Sequence, residues 1–103
     1  MASHLSYVTF VCEQMAGAGV ITWRRMFGEF GLYRGGKFFG VICDDQTFLK
    51  ITPAGVALAP DCPRGVPYQG GSEMLMPDVE DREALTALVR VTCDALPEKR
   101  KRR

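Results

Sequence analysis

The chain is expected to fold as a single α+β domain, an antiparallel sheet packed by the first and last helices. The expected order is helix, three strands, short helix, two strands, helix. Three observations lead there. Leu5, Val8, Val11, Cys12 and Met15 repeat at helical spacing. Aromatic and apolar residues then crowd the stretch 23–52 around Gly35-Gly36, as in strands joined by tight turns. Helical spacing returns at Leu85, Leu88, Val89, Thr92 and Leu96. With 103 residues, 47% of them hydrophobic, one core is expected. The domain is assigned to residues 1–97 and a basic tail, expected to be disordered, to 98–103.

The first helix is expected over residues 3–18. Ser3 or Ser6 can cap its start, and Gly17 and Gly19 supply the stop. A long first strand follows over 22–34, with Gly28 and Gly31 inside it marking a bulge or bend. Gly35-Gly36 suits a two-residue hairpin turn into a second strand, 37–43. That strand is apolar on both faces, with Phe39, Val41 and Cys43 alternating with Phe38 and Ile42, which suits a central position. Asp44-Asp45-Gln46 reads as a turn and 47–51 as the third strand.

Thr52-Pro53 is a helix start, a capping hydroxyl before a proline at the first helical position. A helix of about two turns is expected near 53–59, ended by Pro60 and Pro63. Residues 66–69 and 73–76 read as short strands around Gly70-Gly71, with Pro67 and Pro77 at edge positions. Asp78 is expected to cap the last helix, with Glu80, Asp81 and Glu83 at its positive end, and Pro97 stops it.

Charge and motif content exclude several function classes. Lys99, Arg100, Lys101, Arg102 and Arg103 hold five of the 13 basic residues, so the chain without these five carries eight against 12 acidic ones, about −4. A spread nucleic-acid surface is not expected on such a body. The five-residue basic tail, with Arg24 and Arg25, offers a local alternative for nucleic acid or a partner through counterion release. Arg24 and Arg25 are neighbours on a strand, so they face opposite sides; either can pair with Glu29 or with an acid of the last helix.

No apolar run reaches the roughly 18 residues of a membrane span, and no basic segment precedes an apolar one at the start; a cytoplasmic address is expected. Cys12, Cys43, Cys62 and Cys93 are far apart and His4 is the one histidine, so no metal site and no cofactor are expected, and the cysteines read as inert thiols. His4 stands in an end expected to fray, and no nucleophile elbow, phosphate loop or triad is present. Asp44-Asp45 make a poor acid/base pair, and Cys62 beside Arg64 is a weak nucleophile candidate. No catalytic residue is assigned.

The segment MFGEFGLYRGGKFFG at 26–40 resembles the N-terminal domain of the TfoX/Sxy family of bacterial competence regulators. Met26, Phe27, Gly28, Gly31, Leu32 and Tyr33 match the family motif, Leu49, Lys50 and Ile51 a later segment, and Pro67-Tyr68 and Met76-Pro77 also fit. Glu29 stands where the family usually has glycine, and Phe30 where it has tyrosine. The resemblance spans about residues 5–97. It implies a twisted antiparallel sheet flanked by helices, and a link to transcription of DNA-uptake genes together with a cyclic-AMP-responsive activator. Full-length members carry a second, helical domain, so a copy of the first domain alone is expected here.

The resulting expectation is a non-enzymatic regulatory or adaptor domain. It would present a sheet face or edge to a protein partner, such as a transcription activator or an RNA polymerase component, or to a second copy in a homodimer. Nucleic-acid binding through the tail is the alternative reading, and small-molecule binding the next. The aromatic and glycine residues of 26–33 also fit a purely structural role, with Tyr33 the best placed to present a polar tip.

Overall fold

In the computed structural model, which describes residues 3–26 and 28–97, the helix α1 runs Leu5–Gln14 and a short 3-10 turn, Ala16–Ala18, follows it. Strands β1 (Ile21–Met26), β2 (Glu29–Arg34), β3 (Lys37–Cys43) and β4 (Gln46–Leu49) form a meander. Then come α2 (Pro53–Leu58), the two-residue strands β5 (Arg64–Gly65) and β6 (Met74–Leu75), and α3 (Arg82–Ala95). The sheet is antiparallel in the order β1-β2-β3-β4-β6-β5. This is the expected α+β architecture.

The strand expected over 22–34 is two strands. Met26 pairs with Glu29, so two residues connect them, and Gly28 sits there with φ +80°. Gly28 therefore reverses the chain where a bulge was expected. The bulge lies one strand on: Leu32 pairs with Gly40 but Tyr33 pairs with Phe38, leaving Phe39 as the extra residue. It shifts the side-chain alternation by one. Phe39 and Ile42 join the core against the helices, while Phe38, Val41 and Cys43 gather on the other face. The Gly35-Gly36 turn forms as expected, both residues at positive φ. The next hairpin turns through Asp44 and Asp45, at φ 54° and 56°, a region aspartate tolerates better than most residues.

The helix-side face holds Phe30, Leu32, Phe39, Ile42 and Leu49 against Val8, Val11, Met15, Leu85, Leu88 and Val89. Each such buried side chain contributes about 1.5–3 kcal/mol. The last helix buries the expected Leu85, Leu88, Val89 and Thr92, with Leu96 just beyond its end packed on the core. Lys37 Nζ donates to the Cys93 and Leu96 carbonyls at 2.8 and 3.0 Å, closing the end of α3 from the sheet.

Three terminal details differ from expectation. Asp81 caps α3, its side chain accepting the Ala84 N–H, whereas Asp78 accepts the Glu80 N–H in the turn before it. His4, not Ser3 or Ser6, stands at the N-cap of α1 and makes no side-chain cap bond, while Ser3 Oγ accepts the Asp45 N–H. The late strands form at 64–65 and 74–75, leaving 66–73 as a loop. Thr52 caps α2 as expected, accepting the Gly55 N–H at 3.0 Å.

Candidate functional site: the open face and free edge of the sheet

The helices cover one face of the sheet. The other face carries a second, smaller apolar cluster of Val41, Cys43, Phe48 and Met74, packed by Met26, Phe38 and Met76. Beside it the loop from Val66 to Gly71 stands off the sheet and encloses a groove of about 850 Å³. Met26, Phe38, Val41 and Cys43 line the sheet side and Pro67 and Tyr68 the loop side. Tyr68 is held there because Gly71 has no side chain: a β-carbon at Gly71 would lie 2.8 Å from the Tyr68 ring.

The floor has the same origin. A β-carbon on Gly31 would stand 2.5 Å from Met26 Sδ, 3.2 Å from Phe38 and 3.3 Å from Tyr33. The bare glycine lets those three side chains close over it. Tyr33 and Phe38 pack with centroids 5.4 Å apart. Arg24 lies over the Tyr33 ring at 5.5 Å and Lys50 over the Phe38 ring at 4.8 Å.

The motif thus divides by face. Met26, Gly31 and Tyr33 come together on the open side, Leu32 enters the core, and Gly28 makes the turn. Phe27 lies outside the described residues, as does the tail Lys99, Arg100, Lys101, Arg102 and Arg103. Arg24 and Arg25 do not form one patch: Arg25 sits at the other face over Phe30, 5.0 Å from its ring, where Trp23 meets the same ring edge-on at 5.2 Å. Neither makes an ion pair among the described residues. The strand arginine that pairs with the last helix is Arg34, with Nη2 2.7 Å from Asp94 Oδ1.

Glu29 occupies the top of the groove and ties down the start of the chain. Its carboxylate accepts the Ser3 N–H at 3.0 Å and the Asp44 N–H at 2.9 Å. Partial burial opposes its charge, but these bonds outweigh that and hold the carboxyl below its ordinary value. His4 completes the tie: its N–H and its Nδ1 meet the two Asp45 carboxylate oxygens at 2.8 and 2.7 Å. The end expected to fray is therefore anchored at residues 3 and 4. These bonds join His4 to Asp45 and Asp45 to Ser3. Neither this tie nor the groove was legible beforehand, because both depend on loops that meet only in the fold.

All four cysteines are free, and burial pushes their thiols up, Cys62 included despite Arg64 nearby. That is the opposite of an activated nucleophile. Among the described residues no cluster of three or more His, Cys, Asp or Glu could hold a metal, and no helix is long and apolar enough to cross a membrane.

At the side of the sheet β1 pairs only with β2, leaving its outer edge unpaired among the described strands. Thr22, Arg24 and Arg25 are exposed along it, and Val20 just before it is 78% exposed. A shallow hollow lined by Thr9, Cys12, Ile21 and Trp23 runs beside this edge under α1.

Comparison with known proteins agrees with this architecture. The family model for the TfoX N-terminal domain matches residues 13–96. An uncharacterized 12.7 kDa protein in the trpE 5′ region of Spirochaeta aurantia is 38% identical over 99 residues, covering 94% of this chain and 86% of that protein. With Gly31, Leu32 and Tyr33 built into the sheet and Met26 into its groove, the chain belongs to the TfoX N-terminal domain family.

Proposed function

We propose that this chain is a non-enzymatic regulatory or adaptor domain, acting in the cytoplasm through protein–protein contacts in the transcriptional control of competence. The partner is a transcription activator or an RNA polymerase component that adds an extended segment to the β1 edge. The observation that carries this reading is the unpaired edge from Ile21 to Met26, which offers backbone donors and acceptors for strand addition.

The charges on that edge select the partner. Arg24 and Arg25 are exposed and without carboxylate partners among the described residues, so an acidic segment complements them. A second copy does not: two β1 edges side by side would bring four arginines onto one short ladder. Membership of the TfoX N-terminal family supports the regulatory context.

The test is affinity capture from the native cell with the wild-type chain and with Arg24→Glu/Arg25→Glu as baits. Two exposed ion pairs contribute roughly 0.4–2 kcal/mol together, so capture should fall by up to about thirtyfold and weaken with salt in the wild type. Both arginines are exposed, so the circular dichroism of the variant should match wild type. Equal capture by the two baits, or none by either, would contradict the reading.

A further inference from the structure

We propose that the groove between the open sheet face and the Val66–Gly71 loop is a binding site for a small organic cation, an apolar or aromatic body carrying an ammonium group. This site shares Met26 with the end of β1 but does not rest on the reading of that edge.

The shape is that of a ligand site. A volume of about 850 Å³ lies within the range of roughly 300–1,000 Å³ usual for small-molecule pockets. The groove is concave because the loop forms a second wall, with Gly70 at φ +85° turning the chain and Gly71 seating the Tyr68 ring. Tyr68 remains 54% exposed, so it walls the groove without filling it. Phe38 and Tyr68 supply aromatic surface, and Met26 a flexible, polarizable side chain that adapts to a guest.

The charge gives the ligand its sign. Glu29 and Asp44 are the charged residues of the lining, and both are acidic. The Glu29 carboxylate is held by the Asp44 and Ser3 N–H groups and the Ser3 hydroxyl, which favour its charged form beside the groove. The Asp44 side chain has no hydrogen bond or ion pair among the described residues, and a turn at φ 54° fixes its backbone. The thiol of Cys43 senses the field: burial raises its pKa first, and the charges of Glu29 and Asp44 raise it further. Arg24 and Lys50 lie over the Tyr33 and Phe38 rings at 5.5 and 4.8 Å and are not among the lining residues. Within the groove a cation therefore meets aromatic faces and two carboxylates, which offset its loss of water. An anion meets the reverse.

The experiment is a two-dimensional amide NMR titration of the whole chain with three probes of similar shape: 2-phenylethylammonium, 2-phenylethanol and 3-phenylpropionate. The cation should give saturable shifts at Val41, Cys43, Asp44 and Tyr68, with the alcohol and the carboxylate binding roughly tenfold or more weakly. Asp44→Asn keeps a residue that tolerates the turn and should weaken the cation by about three- to tenfold while leaving the alcohol unchanged. Tyr68→Ala removes one wall at a half-exposed position and should weaken all three. The proposal is overturned if no probe shifts these residues. It is equally overturned if the carboxylate binds as well as the cation, or if Asp44→Asn binds the cation as wild type does.

Discussion

Met26 and Gly31 interlock across β1 and β2: the Met26 thioether lies 2.5 Å from where a β-carbon on Gly31 would stand. The two motif residues are thus one packing unit, and the glycine serves as the socket for the methionine. Its role is close approach and not backbone freedom, since Gly31 has no positive φ.

The identity of the obstructing atom decides what a methyl group costs. At Gly31 it is the end of a flexible side chain that can move away. At Gly40 it is the Phe48 backbone carbonyl on the neighbouring strand, which cannot. Gly31→Ala should therefore cost about 1 kcal/mol and Gly40→Ala about 3 kcal/mol or more. Urea unfolding of the two variants checks the order, and equal costs would contradict it.

Thr92 is buried in the core face of α3, and its hydroxyl has no hydrogen-bond partner among the described residues. The nearly isosteric Thr92→Val removes that unsatisfied group without opening a cavity. It should be neutral or stabilise by up to about 1 kcal/mol, read as a rise in the urea midpoint at unchanged slope. A clear loss of stability would show that the hydroxyl has a partner in solution.

Acid should unfold the protein from its ties. Glu29 is held low despite partial burial by the Asp44 and Ser3 N–H groups, Asp45 by the His4 N–H and ring, and Asp94 by Arg34. The unfolded chain binds protons more readily at these carboxyls, so stability is fully present above their ordinary values of 4.5 and 3.8. It is lost as pH falls through the lower folded values. Glu29→Gln removes one of the three and should flatten the acid limb of a stability–pH curve measured from pH 2 to 6. An unchanged acid limb would remove Glu29 from this account.

Much of the fold was legible because its signals are local. The Leu85–Thr92 stripe, the Thr52-Pro53 start and the Gly35-Gly36 turn each act through their own residues. The structure departs from the sequence expectation where several local choices compete and distant contacts decide. Asp78 and Asp81 can both cap a helix, and the one whose carboxylate meets Ala84 N–H does so. A glycine between apolar residues fits a bulge or a reversal equally, and only pairing of Met26 with Glu29 makes Gly28 a turn. The groove needs Tyr68 and Asp44 from separate loops beside Met26, a meeting that spacing along the chain does not encode.

The central claim is that the β1 edge is the surface a protein partner joins. It is tested most directly by amide hydrogen exchange of the chain alone and with the partner recovered by capture. Strand addition should slow exchange along Ile21–Met26, and Arg24→Glu/Arg25→Glu should abolish that slowing. Slowing confined to α1, α3 or the groove, with β1 unchanged, would contradict the account.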